Sequence, residues 1–140
     1  MHTIIKIAFL PVLALFAIVG VVSISKAEEI VLGCSFEAGK ARFPNGHTFQ
    51  QDPRKYQLMF NDQTNEISWL KGEKFTNTRV TETEIETAFI EDNGNIFYFN
   101  IYRTDGSAYH QFRSPYGDGE YAIGEQDGSC KKLDPTKKLF

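Results

Sequence analysis

Apolar and polar residues alternate along several short segments after residue 29, and a period of two predicts β-strands rather than helices. The first segment carries apolar side chains at every second position: Ile30, Leu32, Cys34 and Phe36. The same period recurs over residues 56–60 and, after a polar break at residues 61–65, over residues 67–69. Two such segments joined by a polar turn predict a hairpin with a longer loop.

The clearest predicted strand spans residues 95–103. It follows an Asn93-Gly94 pair, which tolerates the positive φ angles of a tight turn. Asp105-Gly106 predicts a second tight turn into residues 108–113, so these segments form an antiparallel meander. Within the strand, two sets of residues face opposite ways, Phe97, Phe99 and Ile101 against Tyr98, Asn100 and Tyr102.

Turn signals recur about every 8–12 residues and leave no window for a helix of ordinary length. Residues 76–91 predict one short and one longer strand, and residues 121–123 and 129–133 predict the last short strands. We therefore expect an all-β fold, either a small antiparallel barrel or a curled sandwich of about eight strands with meander topology.

Residues 1–27 have the layout of a secretory signal peptide. A short start that carries Lys6 precedes an apolar run over residues 7–24, and the small residues of Ser25-Lys26-Ala27 offer a cleavage site. An uncleaved N-terminal anchor is a second interpretation, because an apolar run of about 18 residues is at the threshold for spanning a membrane. The signal-peptide interpretation predicts a single β domain over residues 28–140 in the periplasm or outside a bacterial cell.

A third interpretation of the N-terminal region is lipidation. Val31-Leu32-Gly33-Cys34 is similar to a bacterial lipobox, whose cysteine is acylated. Charged residues separate this motif from the apolar run, at Lys26, Glu28 and Glu29. Acylation of Cys34 would also leave Cys130 as a lone thiol in an oxidising space.

The two cysteines of the chain, Cys34 and Cys130, are expected to form a disulfide in an exported protein. Such a bridge joins the first and last predicted strands. It requires the two Cα atoms to lie within about 7 Å, which favours a sheet that curls round on itself.

After residue 27 the chain has 13 basic and 18 acidic residues, a net charge of −5. Nucleic-acid binding needs the opposite sign or a dense basic stripe, so no nucleic-acid partner is expected. A net acidic protein is instead steered toward a basic partner.

Candidate catalytic chemistry is sparse. His47 and His110 have no metal-ligand spacing, so neither a metal site nor a cofactor is predicted. No serine has a nucleophile-elbow context. An acid–base pair drawn from Asp105, Asp118 and Glu120 is the enzymatic alternative, and it predicts a pocket that brings two of these carboxylates within about 10 Å.

Aromatic residues suggest a binding surface. Tyr98 and Tyr102 face away from the apolar side of their strand, and Tyr109 lies on the adjacent strand, so the three form a candidate binding strip. Tyr116 and Asp118 lie in a Gly-rich loop of the kind that often recognises ligands.

The chain resembles small exported bacterial proteins of unassigned function. The resemblance rests on Cys34-Ser35-Phe36, on Tyr102-Arg103-Thr104-Asp105-Gly106 and on Gly128-Ser129-Cys130, and it implies no activity and no site residues. At the level of the expected fold, the chain is also similar to bacterial periplasmic lysozyme inhibitors, although it lacks their inhibitory-loop motif.

Three functions are compatible with these patterns. The favoured hypothesis is a non-catalytic binding module for an unknown protein or small ligand, with inhibition of a cationic enzyme as its most concrete form. The alternatives are a carboxylate-based hydrolase-like enzyme and a structural envelope protein, which would contact the membrane only through a retained N-terminal segment.

Overall fold

The computed structural model describes residues 29–134, so the predicted signal peptide lies outside the described residues. These residues form ten antiparallel strands and no helix, which confirms the all-β prediction. None of them belongs to a helix long and apolar enough to cross a membrane. The strands are β1 (Glu29–Phe36), β2 (Gly39–Arg42), β3 (Thr48–Gln51), β4 (Arg54–Asn61), β5 (Glu66–Trp69), β6 (Thr76–Val80), β7 (Glu84–Ile90), β8 (Ile96–Tyr102), β9 (Ser107–Gly117) and β10 (Glu120–Leu133).

Eight of these strands form a nearly closed barrel. Their order around the barrel is β5, β4, β1, β10, β9, β8, β7 and β6, so each strand lies beside its neighbour in sequence once β2 and β3 are set aside. The two end strands approach each other through the segment before β6. There the Phe75 amide donates to the Ile67 carbonyl at 2.8 Å, and Ser68 is bridged to Lys74. The predicted meander barrel is therefore confirmed.

β2 and β3 form a hairpin inserted between two neighbouring barrel strands. β1 ends at Phe36 and β4 begins at Arg54, and these two residues are register partners. The inserted β2–β3 hairpin pairs with the first half of β10 through Ile123, Gly124 and Glu125. It therefore extends the sheet beyond the end of the barrel.

The disulfide between Cys34 and Cys130 is present, as predicted. The two residues face each other across β1 and β10, with Cα atoms 4.0 Å apart and a sequence separation of 96. The bridge thus joins the strands that begin and end the described chain, and it is compatible with an oxidising, exported location.

Aromatic side chains fill the barrel. Phe36, Phe60 and Phe99 are buried with Leu58 and Ile67, and further rings from partly buried residues pack against them. Most ring pairs meet edge-on or tilted, as between Trp69 and Phe75 at 4.6 Å. The apolar positions predicted from the alternation are therefore the inward-facing positions.

Two details of the predicted strands were wrong. Residues 121–123 and 129–133 belong to one strand of 14 residues, and β2 and β3 were not predicted as strands. Gly124 and Gly128 interrupt the apolar pattern of β10 because residues of nearby strands approach β10 closely at these two positions. A Cβ atom at Gly128 would lie 2.1 Å from the Ser35 carbonyl oxygen.

Candidate binding surfaces

The predicted tyrosine strip lies on the outer wall of the barrel, and we call Tyr98, Tyr102 and Tyr109 the outer tyrosine face. Tyr98 and Tyr109 come from the adjacent strands β8 and β9, and their ring centroids are 6.3 Å apart. Tyr102 lies at the end of β8 and is 42% exposed. The alternation of the sequence therefore placed these three residues on one surface.

Hydrogen bonds hold part of the outer tyrosine face against the wall. The Tyr109 hydroxyl donates to Glu125 Oε1 at 2.8 Å and accepts from Gln111 Nε2 at 3.1 Å. Burial, reinforced by the Glu125 carboxylate, raises the pKa of Tyr109 to about 12. Burial also raises the pKa of Tyr98, with the Glu86 carboxylate as the next cause. Tyr109 is thus already committed to partners within the protein.

Tyr116 and Asp118 belong to a different surface. Tyr116 lies about 23 Å along β9 from Tyr109, on the part of the strand that projects past the barrel. Asp118 occupies the tip of the β9–β10 turn with a positive φ of 48°. The five residues predicted from the sequence therefore divide between two surfaces.

Tyr116 contributes to an aromatic cleft that the sequence did not predict. The Phe43 ring lies 5.3 Å from the Tyr116 ring and 5.1 Å from the Phe49 ring, between centroids. Phe49 is 45% exposed and Tyr116 is 51% exposed. The cleft has a volume of about 390 Å³, and Phe112 and Pro115 complete its apolar lining.

Local turn chemistry positions these rings. Gly46 has a φ of 87°, and its amide donates to the Phe43 carbonyl, which closes the turn between β2 and β3. The Phe43 amide in turn donates to the His47 carbonyl at 2.9 Å. Pro44, Asn45 and Gly46 are residues typical of such a turn. The sequence did not predict the cleft because it gave no signal for the pairing of the hairpin with β10. That pairing brings Phe43 to Tyr116.

Gln51 is a buried amide in the wall of the cleft. Only 6% of the residue is exposed, and its Oε1 has no hydrogen-bond partner. Its side chain lies over Gly124, where a Cβ atom would meet Gln51 Nε2 at 2.1 Å. The buried Gln51 amide therefore packs between the hairpin and β10 rather than opening into the cleft.

The β2–β3 hairpin carries positive charge. Lys40 and Arg42 are exposed on β2, and no acidic residue occurs in residues 38–51. Neither cation is among the ion pairs found within residues 29–134. The carboxylate of Glu125, which pairs with Lys40 in register, instead accepts hydrogen bonds from Tyr109 and Gln111.

His110 lies inside the barrel. Its Nδ1 is 3.0 Å from the Tyr98 carbonyl oxygen and its Nε2 is 3.1 Å from the Tyr56 hydroxyl, an arrangement that suits a neutral ring with its proton on Nδ1. The ring stacks on Phe99 at 4.5 Å. Burial lowers the pKa of His110 to about 4. The residue is part of the core packing.

Among the carboxylates of the enzymatic hypothesis, Asp105 lies far from Asp118 and Glu120. Asp105 precedes β9 and Asp118 follows it, so the two lie roughly 35 Å apart. Asp105 Oδ1 accepts hydrogen bonds from the amide and hydroxyl of Ser107, and these bonds lower its pKa. Asp118 and Glu120 flank the same exposed turn. Over residues 29–134, no group of three His, Cys, Asp or Glu side chains is arranged to hold a metal ion.

No family model, curated protein or solved structure matches the chain. The resemblance to small exported bacterial proteins stays a prediction from the residues.

Proposed function

We propose that this chain is an exported, non-catalytic binding module and that it holds a partner protein at the aromatic cleft. The observation that carries the proposal is the convergence of Phe43, Phe49 and Tyr116 from two hairpins outside the buried core. Exposed aromatic rings grouped at one place are typical of recognition surfaces. A protein partner is favoured over a small ligand because the exposed rings of Phe49 and Tyr116 stand at the surface.

Export is part of the same proposal. The disulfide is compatible with an oxidising compartment, and the predicted signal peptide would direct the chain to the periplasm or the exterior of a bacterial cell. The partner is therefore sought in that compartment.

Site-specific photo-crosslinking in the exporting cells tests the cleft. A photo-reactive amino acid at the position of Phe49 is expected to give a discrete adduct with one partner. The same group at exposed Lys55, outside the cleft, is the matched control and is expected to give none. The double substitution Phe43→Ala and Tyr116→Ala should abolish the adduct. An absence of adducts from position 49 would overturn the proposal.

The narrower form, an inhibitor of a cationic enzyme, is tested with a basic hydrolase of the lysozyme class. The net charge of −5 is expected to accelerate association as the salt concentration falls. Tyr102→Ala, on the outer tyrosine face, is the matched control for Phe43→Ala with Tyr116→Ala. If the hydrolase does not bind at low ionic strength, the inhibitor hypothesis is wrong. If only Tyr102→Ala abolishes binding, the binding site is the outer tyrosine face instead of the aromatic cleft.

A further inference from the structure

The β2–β3 hairpin leaves one sheet edge open beside the aromatic cleft. β3 pairs with β2 alone among the described strands. The end strands of the barrel, β5 and β6, also have one paired neighbour each, but they approach each other through the bridge between Ser68 and Lys74. Exposed edges are commonly protected by lysine, proline or a bulge. β3 has the sequence Thr-Phe-Gln-Gln and carries none of these, so only its length of four residues limits pairing with another strand. The edge is therefore available to another strand.

The register identifies the backbone groups at this edge. The Phe43 amide donates to the His47 carbonyl, so these two residues form a hydrogen-bonded pair. Because such pairs alternate along an antiparallel ladder, Phe49 and Gln51 also direct their backbone groups to β2. Thr48 and Gln50 then direct their N–H and C=O groups away from β2, toward the open edge.

The two faces of the hairpin differ in chemistry. Phe49 and the buried Gln51 lie on the face that lines the aromatic cleft. On the opposite face, Thr48 and Gln50 lie beside Arg42 and Lys40 in register. Glu125 lies on the far side of Lys40, on β10. An added strand beside β3 therefore meets apolar rings on one side and, on the other, the two cations before it meets this carboxylate.

We propose that β3 receives an extended segment of the partner as an added strand, in which apolar residues enter the aromatic cleft and alternating acidic residues face Lys40 and Arg42. This inference rests on the proposed function and names the chemistry of its partner. Backbone hydrogen bonds to Thr48 and Gln50 provide affinity, and the two faces provide specificity. The net negative charge of the chain attracts a basic partner over long distances, whereas Lys40 and Arg42 interact with the bound segment itself. A partner that is basic overall can therefore still bind through an acidic segment.

A second copy of this chain is a poor occupant of the edge. Pairing β3 with β3 would bring two β2–β3 hairpins together, each with Lys40 and Arg42 and with no acidic residue in residues 38–51. The β3 strand of a second copy would therefore bring no carboxylate to Lys40 and Arg42.

The test uses a short blocked peptide in which glutamate alternates with valine and phenylalanine, titrated into the disulfide-intact protein. Gln50→Pro removes an outward amide without removing a hydrogen bond to β2, and it is expected to weaken binding about tenfold. Gln50→Ala is the matched control and should bind as the wild type does. Melting temperatures of both variants are measured to show that they fold.

Two further peptides test the specificity. N-methylation of the edge-facing amides should weaken binding about as much as Gln50→Pro does, and lysine in place of glutamate should abolish it. Lys40→Glu with Arg42→Glu should reverse the preference between the acidic and basic peptides. If the methylated peptide binds as tightly as the unmodified one, or if Gln50→Pro binds as tightly as the wild type, strand addition is wrong. The proposal that the cleft binds a partner is tested separately, by the crosslinking experiment. A dimer of the unliganded protein that Gln50→Pro dissociates also overturns addition of a partner strand, in favour of a second copy.

Discussion

At the residue scale, His110 is an ionisable group within an aromatic core. Its ring packs between Phe36, Phe97 and Phe99, and its two nitrogens are used by Tyr56 and the Tyr98 carbonyl. A protonated ring would lose the acceptor that faces Tyr56 and would carry a charge away from water. Only the neutral form suits the folded barrel.

Stability should therefore fall as the solution is acidified from about pH 6.5 to about pH 4. Between these values the unfolded chain binds a proton at His110 and the folded chain does not, so acid favours unfolding by up to about 3 kcal/mol. Urea unfolding at several pH values measures this loss. In His110→Phe the free energy of unfolding should depend less on pH over this range. If it falls with pH as steeply as in the wild type, His110 is not the group responsible.

At the element scale, the β2–β3 hairpin is attached at both of its ends by one side chain. Gln126 Nε2 donates to the Glu37 carbonyl and to the Asp52 carbonyl, each at 2.9 Å. Glu37 directly follows β1 and Asp52 directly follows β3. This buried amide therefore fixes the hairpin to the barrel wall.

We expect Gln126→Leu to lower the free energy of unfolding by about 1–3 kcal/mol, because two carbonyl groups lose their donor. Gln51→Leu is the matched control in the same hairpin. The Oε1 atoms of both glutamines are buried without a partner, but the two hydrogen bonds to carbonyl groups belong to Gln126. An apolar side chain at position 51 should therefore be close to neutral in stability. Chemical denaturation of both variants measures the difference, and equal losses would argue against a specific role for Gln126.

Sequence patterns predicted the elements whose contacts are local. β8 follows from aromatic alternation between two glycine turns, and β9 follows from alternation after the second turn. Gly94 and Gly106 have the positive φ values expected in these turns. β2 and β3 were missed because their four-residue sequences are mostly polar and their pairing with β10 joins distant parts of the chain. The aromatic cleft was not predicted because it depends on the same pairing between distant segments. The outer tyrosine face could be predicted because it depends only on the alternation within β8 and on one hairpin.

At the scale of the whole molecule, the disulfide closes a loop that contains nearly all of the described chain. Residues 34 and 130 are held together in the unfolded state as well, which restricts its conformational freedom. β1 and β10 are hydrogen-bonded neighbours, so the bridge adds a covalent link to a strand pair that lies away from the β5–β6 seam.

Replacing both cysteines by alanine should lower the free energy of unfolding by up to about 4.7 kcal/mol, the value expected for a loop of about 100 residues. The midpoint of guanidinium unfolding, with and without a reductant, measures the change. Reductant should lower the midpoint of the wild type and leave that of the double variant unchanged. A reduced wild-type protein with the oxidised midpoint would contradict this expectation.

The place where the β2–β3 hairpin enters the barrel also bears on how such proteins diversify. Phe36 and Arg54 are register partners on adjacent strands, so the excised ends of the insertion would already be neighbours. A shorter or longer segment grafted between them would leave the order of the eight barrel strands intact. Evolution, or a protein engineer, can therefore exchange the β2–β3 hairpin as a cassette while the scaffold stays the same.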